Sequence, residues 1–76
     1  RPRVLLGNLA PVMRLGMERL LADRGVDVSV EACAAEVPVA AAAFAPDAIV
    51  LPLDGEAANE VGRARAAAPG AKLILW

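Results

Sequence analysis

Four short apolar runs alternate with longer segments of helix-forming residues, and this alternation restricts the fold more than any other sequence feature. The runs predict strands over residues 3–7 (RVLLG), 26–30 (VDVSV), 48–53 (AIVLPL) and 71–76 (AKLILW). Strands that alternate with helices pair in parallel, because right-handed crossovers place the helices on both faces of one sheet. We therefore predict a single α/β domain over residues 1–76 with the order β-α-β-α-β-α-β.

The intervening segments predict helices over residues 10–24 (APVMRLGMERLLADR), 36–45 (EVPVAAAAFA) and 56–68 (EAANEVGRARAAA). Pro11 suits a first helical turn, and Gly25 suits the position after a helix end. Pro46 disfavours the helical conformation in the residue before it and so ends the second helix. On the first helix one side carries Val12, Met13, Gly16, Met17, Leu20 and Leu21, which predicts that this side is buried.

The strands differ in pattern. Residues 4–6 (VLL) and 48–51 (AIVL) are continuously apolar, which is typical of central strands buried on both faces. Residues 26–30 alternate between apolar and polar, which indicates a strand nearer the sheet edge with one face more exposed to solvent than the other.

Charge and composition exclude several classes of function. The formal net charge is −1, with 8 basic and 9 acidic residues scattered along the chain, so we expect no direct nucleic-acid binding by this segment. No apolar run approaches membrane-spanning length, and we expect a cytoplasmic protein without membrane contact. Cys33 is the single cysteine and His is absent, which excludes an internal disulfide and a Cys/His metal site. The role of Cys33 stays open, and the Arg at position 1 suggests a piece of a longer chain.

Three segments resemble one known family in the right order and spacing. Residues 4–21 (VLLGNLAPVMRLGMERLL), 45–53 (APDAIVLPL) and 68–76 (APGAKLILW) are similar to the receiver domain of response regulators with a C-terminal helix-turn-helix. The segment PVMRLGM is the most specific part. The resemblance implies a flavodoxin-like, doubly wound parallel sheet, here limited to four strands in the order 2-1-3-4.

The departures from this family affect its chemistry. The family's Mg²⁺-binding acidic pair falls on Asn8 and Leu9, and its phosphorylated Asp falls on Pro52. Mg²⁺ needs hard oxygen ligands and phosphoryl transfer to protein needs a carboxylate, so the resemblance implies a degenerate pocket without metal or cofactor. Asp54, two residues beyond Pro52, is a candidate displaced acceptor without an acidic partner. The loop after the third strand is also shorter than in the family.

The resemblance implies a partial pseudo-receiver: a regulatory, non-enzymatic module of a transcriptional response regulator that acts by protein contacts without aspartate phosphorylation. Its expected partners are a second copy and an attached DNA-binding domain. Leu9, Leu15 and Trp76 are the candidate interaction residues. The last strand is expected to be a sheet edge that a second copy covers, or, as the alternative, one that the remainder of a longer chain covers. The alternative is a small-molecule sensor with an apolar pocket at the carboxyl ends of the strands. The sensed signal, the promoter and a cognate kinase stay undetermined.

Overall fold

A computed structural model describes residues 1–53 and 59–76 of the chain. Its elements are β1 (Arg3–Gly7), α1 (Pro11–Asp23), β2 (Asp27–Glu31), a 3₁₀ turn (Ala34–Glu36), α2 (Val37–Phe44), β3 (Ala48–Leu51), α3 (Val61–Ala67) and β4 (Lys72–Leu75). The predicted alternation of strands and helices is confirmed. The beginning of the predicted third helix, residues 56–58, lies outside the described residues, and so does Asp54.

The four strands form one parallel sheet in the order β2-β1-β3-β4. This confirms the flavodoxin-like order, with β1 and β3 in the centre and the alternating β2 at an edge. β3 ends at Leu51 rather than residue 53, because Pro52 has no amide hydrogen for a regular ladder. Backbone hydrogen bonds nevertheless continue: the Trp76 amide donates to the Leu51 carbonyl, and the Leu53 amide donates to the Trp76 carbonyl, both at 2.9 Å.

The main core lies between the sheet and the pair α2 and α3. Leu5, Ile49 and Leu51 point to this face from the central strands and are fully buried. They pack with Val37 and Ala41 of α2 and with small alanines of α3. Two helices covering one face remove all of its central aliphatic side chains from water, and this burial is the main stabilising contribution of the fold.

The opposite face is covered by α1 alone, and here the predicted buried side of α1 is partly wrong. Met13, Met17 and Leu21 are half-buried, but Val12 is 86% exposed and Leu20 is 54% exposed. The reason is that α1 packs mainly against β2. A helix about 10 Å wide covers roughly two strands spaced about 4.8 Å apart, so Leu6 and Val50 of the central strands are buried on this face while Ile74 of β4 stays 44% exposed.

The ends of α1 and α2 agree with the sequence signals to within one residue. α1 begins at Pro11 and ends before Gly25, whose φ is +76°. The Gly25 amide donates to the Ala22 carbonyl and the Val26 amide to the Leu21 carbonyl, which together form a Schellman motif. α2 ends at Phe44 instead of residue 45, because Ala45 before Pro46 adopts the left-handed conformation, with φ at 52°.

Candidate functional site

The carboxyl-end edge, defined here by Asn8, Leu9, Glu31 and Pro52, lies where β1, β2 and β3 finish. Asn8 directly follows β1 and has a φ of 53°, a left-handed conformation that Asn tolerates better than most residues. Its backbone amide donates a hydrogen bond of 2.7 Å to the Glu31 carbonyl at the end of β2. This bond holds the turn after β1 against the neighbouring strand end.

Asn8 and Pro52 occupy corresponding positions on the two central strands. Leu6 is paired with Val50 in the parallel register, so each of the two residues lies two positions beyond that pair. Asn8, Leu9 and Pro52 are all half-buried. The structure therefore brings the sequence-predicted pocket residues to one edge, where their side chains provide one amide and two apolar groups.

Glu31 is the carboxylate of this edge that sequence reasoning did not single out. It is the last residue of β2 and is half-buried, and its Oε2 accepts a hydrogen bond of 3.1 Å from the Cys33 amide. The sequence feature that could have identified Glu31 is its acidic side chain at the end of a strand, at the same edge of the sheet as the predicted pocket. Within residues 1–53 and 59–76, no three His, Cys, Asp or Glu side chains come together in a way that could hold a metal ion.

Glu60, immediately before α3, forms an ion pair within its own helix turn. Its Oε2 lies 3.6 Å from Nη1 of Arg63, and its side chain is only 13% exposed. The same Oε2 is buried and has no hydrogen-bond partner among residues 1–53 and 59–76. The Arg63 guanidinium is the cation facing this carboxylate, while Arg63 itself is largely in solvent.

An apolar groove runs between α1 and β4 over the open half of the sheet. It has a volume of about 380 Å³. Its walls include Met13, Met17 and Leu20 from α1 and Val50, Ile74 and Trp76 from the sheet side. Every residue that lines it is aliphatic, a methionine or a tryptophan, so the groove offers no charged side chain, and the indole of Trp76 is its one side chain with an N–H donor.

The three candidate interaction residues do not form one surface. Trp76 is 62% exposed and lines the apolar groove. Leu15 is 61% exposed and lies instead in a shallow depression on α1 beside Glu18, Arg19 and Asp23. Leu9 lies at the carboxyl-end edge and is half-buried. An interaction role for each of them stays a prediction.

Comparison with known proteins decides the fold family. Neither a protein-family model nor a curated protein matches the chain. Among solved structures the chain is similar to a two-component response regulator of the LuxR family from Aurantimonas sp. SI85-9A1, with a TM-score of 0.72 and 28% sequence identity. The fold is that of a response-regulator receiver domain. The match covers 96% of this chain and 56% of the regulator, so the chain spans little more than half of that protein.

The carboxyl-end edge is where the receiver resemblance predicts a change of chemistry. The sequence resemblance predicts that the acidic pair of receivers falls on Asn8 and Leu9 and the phosphorylated Asp on Pro52, and this correspondence stays a prediction. The predicted displaced acceptor, Asp54, lies outside the described residues. None of the three matching positions provides the carboxylate that Mg²⁺ binding and phosphoryl acceptance use in receivers.

The alternative apolar sensor pocket at the carboxyl ends of the strands stays a prediction. The apolar groove is not centred there: it reaches Val4 and Ala48, which stand near the beginnings of β1 and β3. Trp76 is the lining residue that follows a strand end. Across the described parts of the chain, no helix is long and apolar enough to cross a membrane.

Proposed function

We propose that this chain is a regulatory pseudo-receiver module that acts through protein contacts without phosphorylation of an aspartate. The proposal is supported by the position of Asn8, Leu9 and Pro52 at one edge of a receiver-like sheet, where the sequence resemblance aligns them with the three receiver acids. A carboxylate must attack the phosphoryl donor, and Mg²⁺ must neutralise the charge that develops. A proline without a nucleophilic group cannot accept the phosphoryl group, and a leucine cannot hold the metal.

The direct test is incubation of the purified protein with acetyl phosphate and Mg²⁺, followed by intact-protein mass spectrometry. We expect no increase by the mass of a phosphoryl group. A receiver that retains all three acidic residues, treated in parallel, is the positive control. A stable acyl phosphate on this chain would contradict the proposal, and loss of that label in Asp54→Asn would locate it at the displaced carboxylate.

The attached effector belongs to the same proposal. The LuxR-family regulator to which the chain is similar extends well beyond the matched segment. We propose that a DNA-binding domain outside these 76 residues provides the contact with DNA, while this module biases it. The scattered charges and the net charge of −1 give the module itself no basic surface for phosphates. Titration of the 76-residue chain with duplex DNA at low salt is expected to show no binding. Salt-sensitive binding would contradict the proposal that the contact with DNA is made by another domain.

Association of two copies is the third part of the proposal. In the described sheet β4 has β3 as its only neighbour, so the other edge of β4 presents unpaired amides and carbonyls. Leu75 and Ile74 on this strand are 46% and 44% exposed. An apolar edge of this kind pairs readily with another strand. A second copy adding its own β4 across a two-fold axis would cover both edges at once.

A further inference from the structure

No further inference is drawn: the strongest candidate, the apolar groove between α1 and β4 lined by Met13, Met17, Leu20, Val50, Ile74 and Trp76, is an uncovered face of the sheet, and nothing in the structure shows what covers it.

Discussion

Arg3 and Asp47 bind each other through two backbone-directed hydrogen bonds that tie the beginning of β1 to the beginning of β3. The Arg3 amide donates to the Asp47 carboxylate and the Asp47 amide donates to the Arg3 carbonyl, both at 2.8 Å. The Arg3 guanidinium also donates to the Phe44 carbonyl at the end of α2, at 2.9 Å, and lies over the Phe44 ring. Two residues thus connect two strands and a helix end at the edge of the sheet opposite Asn8 and Pro52.

Asp47→Ala is expected to lower the free energy of unfolding by about 1 kcal/mol, because the Arg3 amide loses a charged acceptor at a solvent-exposed site. Urea unfolding followed by circular dichroism measures this change. Asp47→Asn is the matched control, since it retains an acceptor oxygen and should recover most of the loss. Equal destabilisation by both substitutions would show that the carboxylate contributes through its charge instead of this hydrogen bond.

Ala45→Gly is expected to stabilise the protein by about 0.5–1 kcal/mol, because Ala45 adopts a left-handed conformation that glycine accepts without a steric cost. The gain is smaller than the full strain, since glycine also raises the entropy of the unfolded chain. Ala43→Gly, at an exposed position inside α2, should instead destabilise by about 0.5–1 kcal/mol. Urea unfolding measures both changes. If both substitutions lower the stability of the protein, the left-handed conformation of Ala45 at the end of α2 is contradicted.

Gly7→Ala tests the packing between β1 and α2. A Cβ at this position would lie 2.7 Å from Leu51 Cδ2 and 3.0 Å from Val37 Cγ2, both on fully buried side chains. Overpacking of this kind costs about 1–3 kcal/mol. Gly16→Ala is the control, because a Cβ in the middle of α1 meets no atom within 4 Å and should raise stability by up to about 1 kcal/mol. Thermal unfolding of the two variants should shift in opposite directions, and a neutral Gly7→Ala would contradict the close approach.

Restoring the receiver acids should create a Mg²⁺ site. In the combined variant Asn8→Asp, Leu9→Asp and Pro52→Asp, three carboxylates meet at the carboxyl-end edge, so their repulsion lowers stability without metal. Added Mg²⁺ should then stabilise the variant by about 2.7 kcal/mol at a concentration one hundred times its dissociation constant. The unmodified chain should show no Mg²⁺-dependent shift in its unfolding temperature, with NaCl as the ionic-strength control.

A second variant covers the case in which the triple variant does not fold. Asn8→Asp with Leu9→Asp retains Pro52 and the end of β3, and it should show a smaller Mg²⁺ shift in the same direction. A Mg²⁺ shift in the unmodified chain as large as in the variants would contradict the degenerate pocket.

Leu75→Pro tests association through β4. Successive residues of a strand direct their amides to opposite sides. The amides of Lys72 and Trp76 donate to β3, so the amide of Leu75, the residue before Trp76, points to the open edge. Proline at 75 removes that outward donor while the bonds to β3 remain. Light scattering should show association of the 76-residue chain at high micromolar concentration and a shift toward the mass of one copy in Leu75→Pro.

Leu75→Ala is the matched control for this experiment, because it shortens the side chain but retains the amide, and it should stay associated. A stable monomer of the unmodified chain at the same concentration would contradict edge pairing. That outcome would leave the proposed absence of phosphorylation untouched, since the two proposals depend on different residues.

Local sequence pattern was sufficient for the order of the elements and for the ends of α1. The apolar runs in β1 and β3 predicted central strands, because only strands buried on both faces are apolar at every position. Pro11 and Gly25 marked the limits of α1 since each has a backbone preference that applies in any context. The order of the strands required the family resemblance, because periodicity within one strand carries no information about which strand lies beside it.

Only the tertiary structure decided which part of an apolar side becomes core. Periodicity placed Val12 and Leu20 on the same side of α1 as Met17, yet both are exposed, because α1 lies toward β2 and one helix is too narrow for a four-stranded face. Likewise, the sequence named Asn8 and Pro52 as pocket residues, but their location with Glu31 at one edge of the sheet depends on the parallel register of three strands. Side-chain identity is local, whereas proximity between distant residues arises only when the sheet forms.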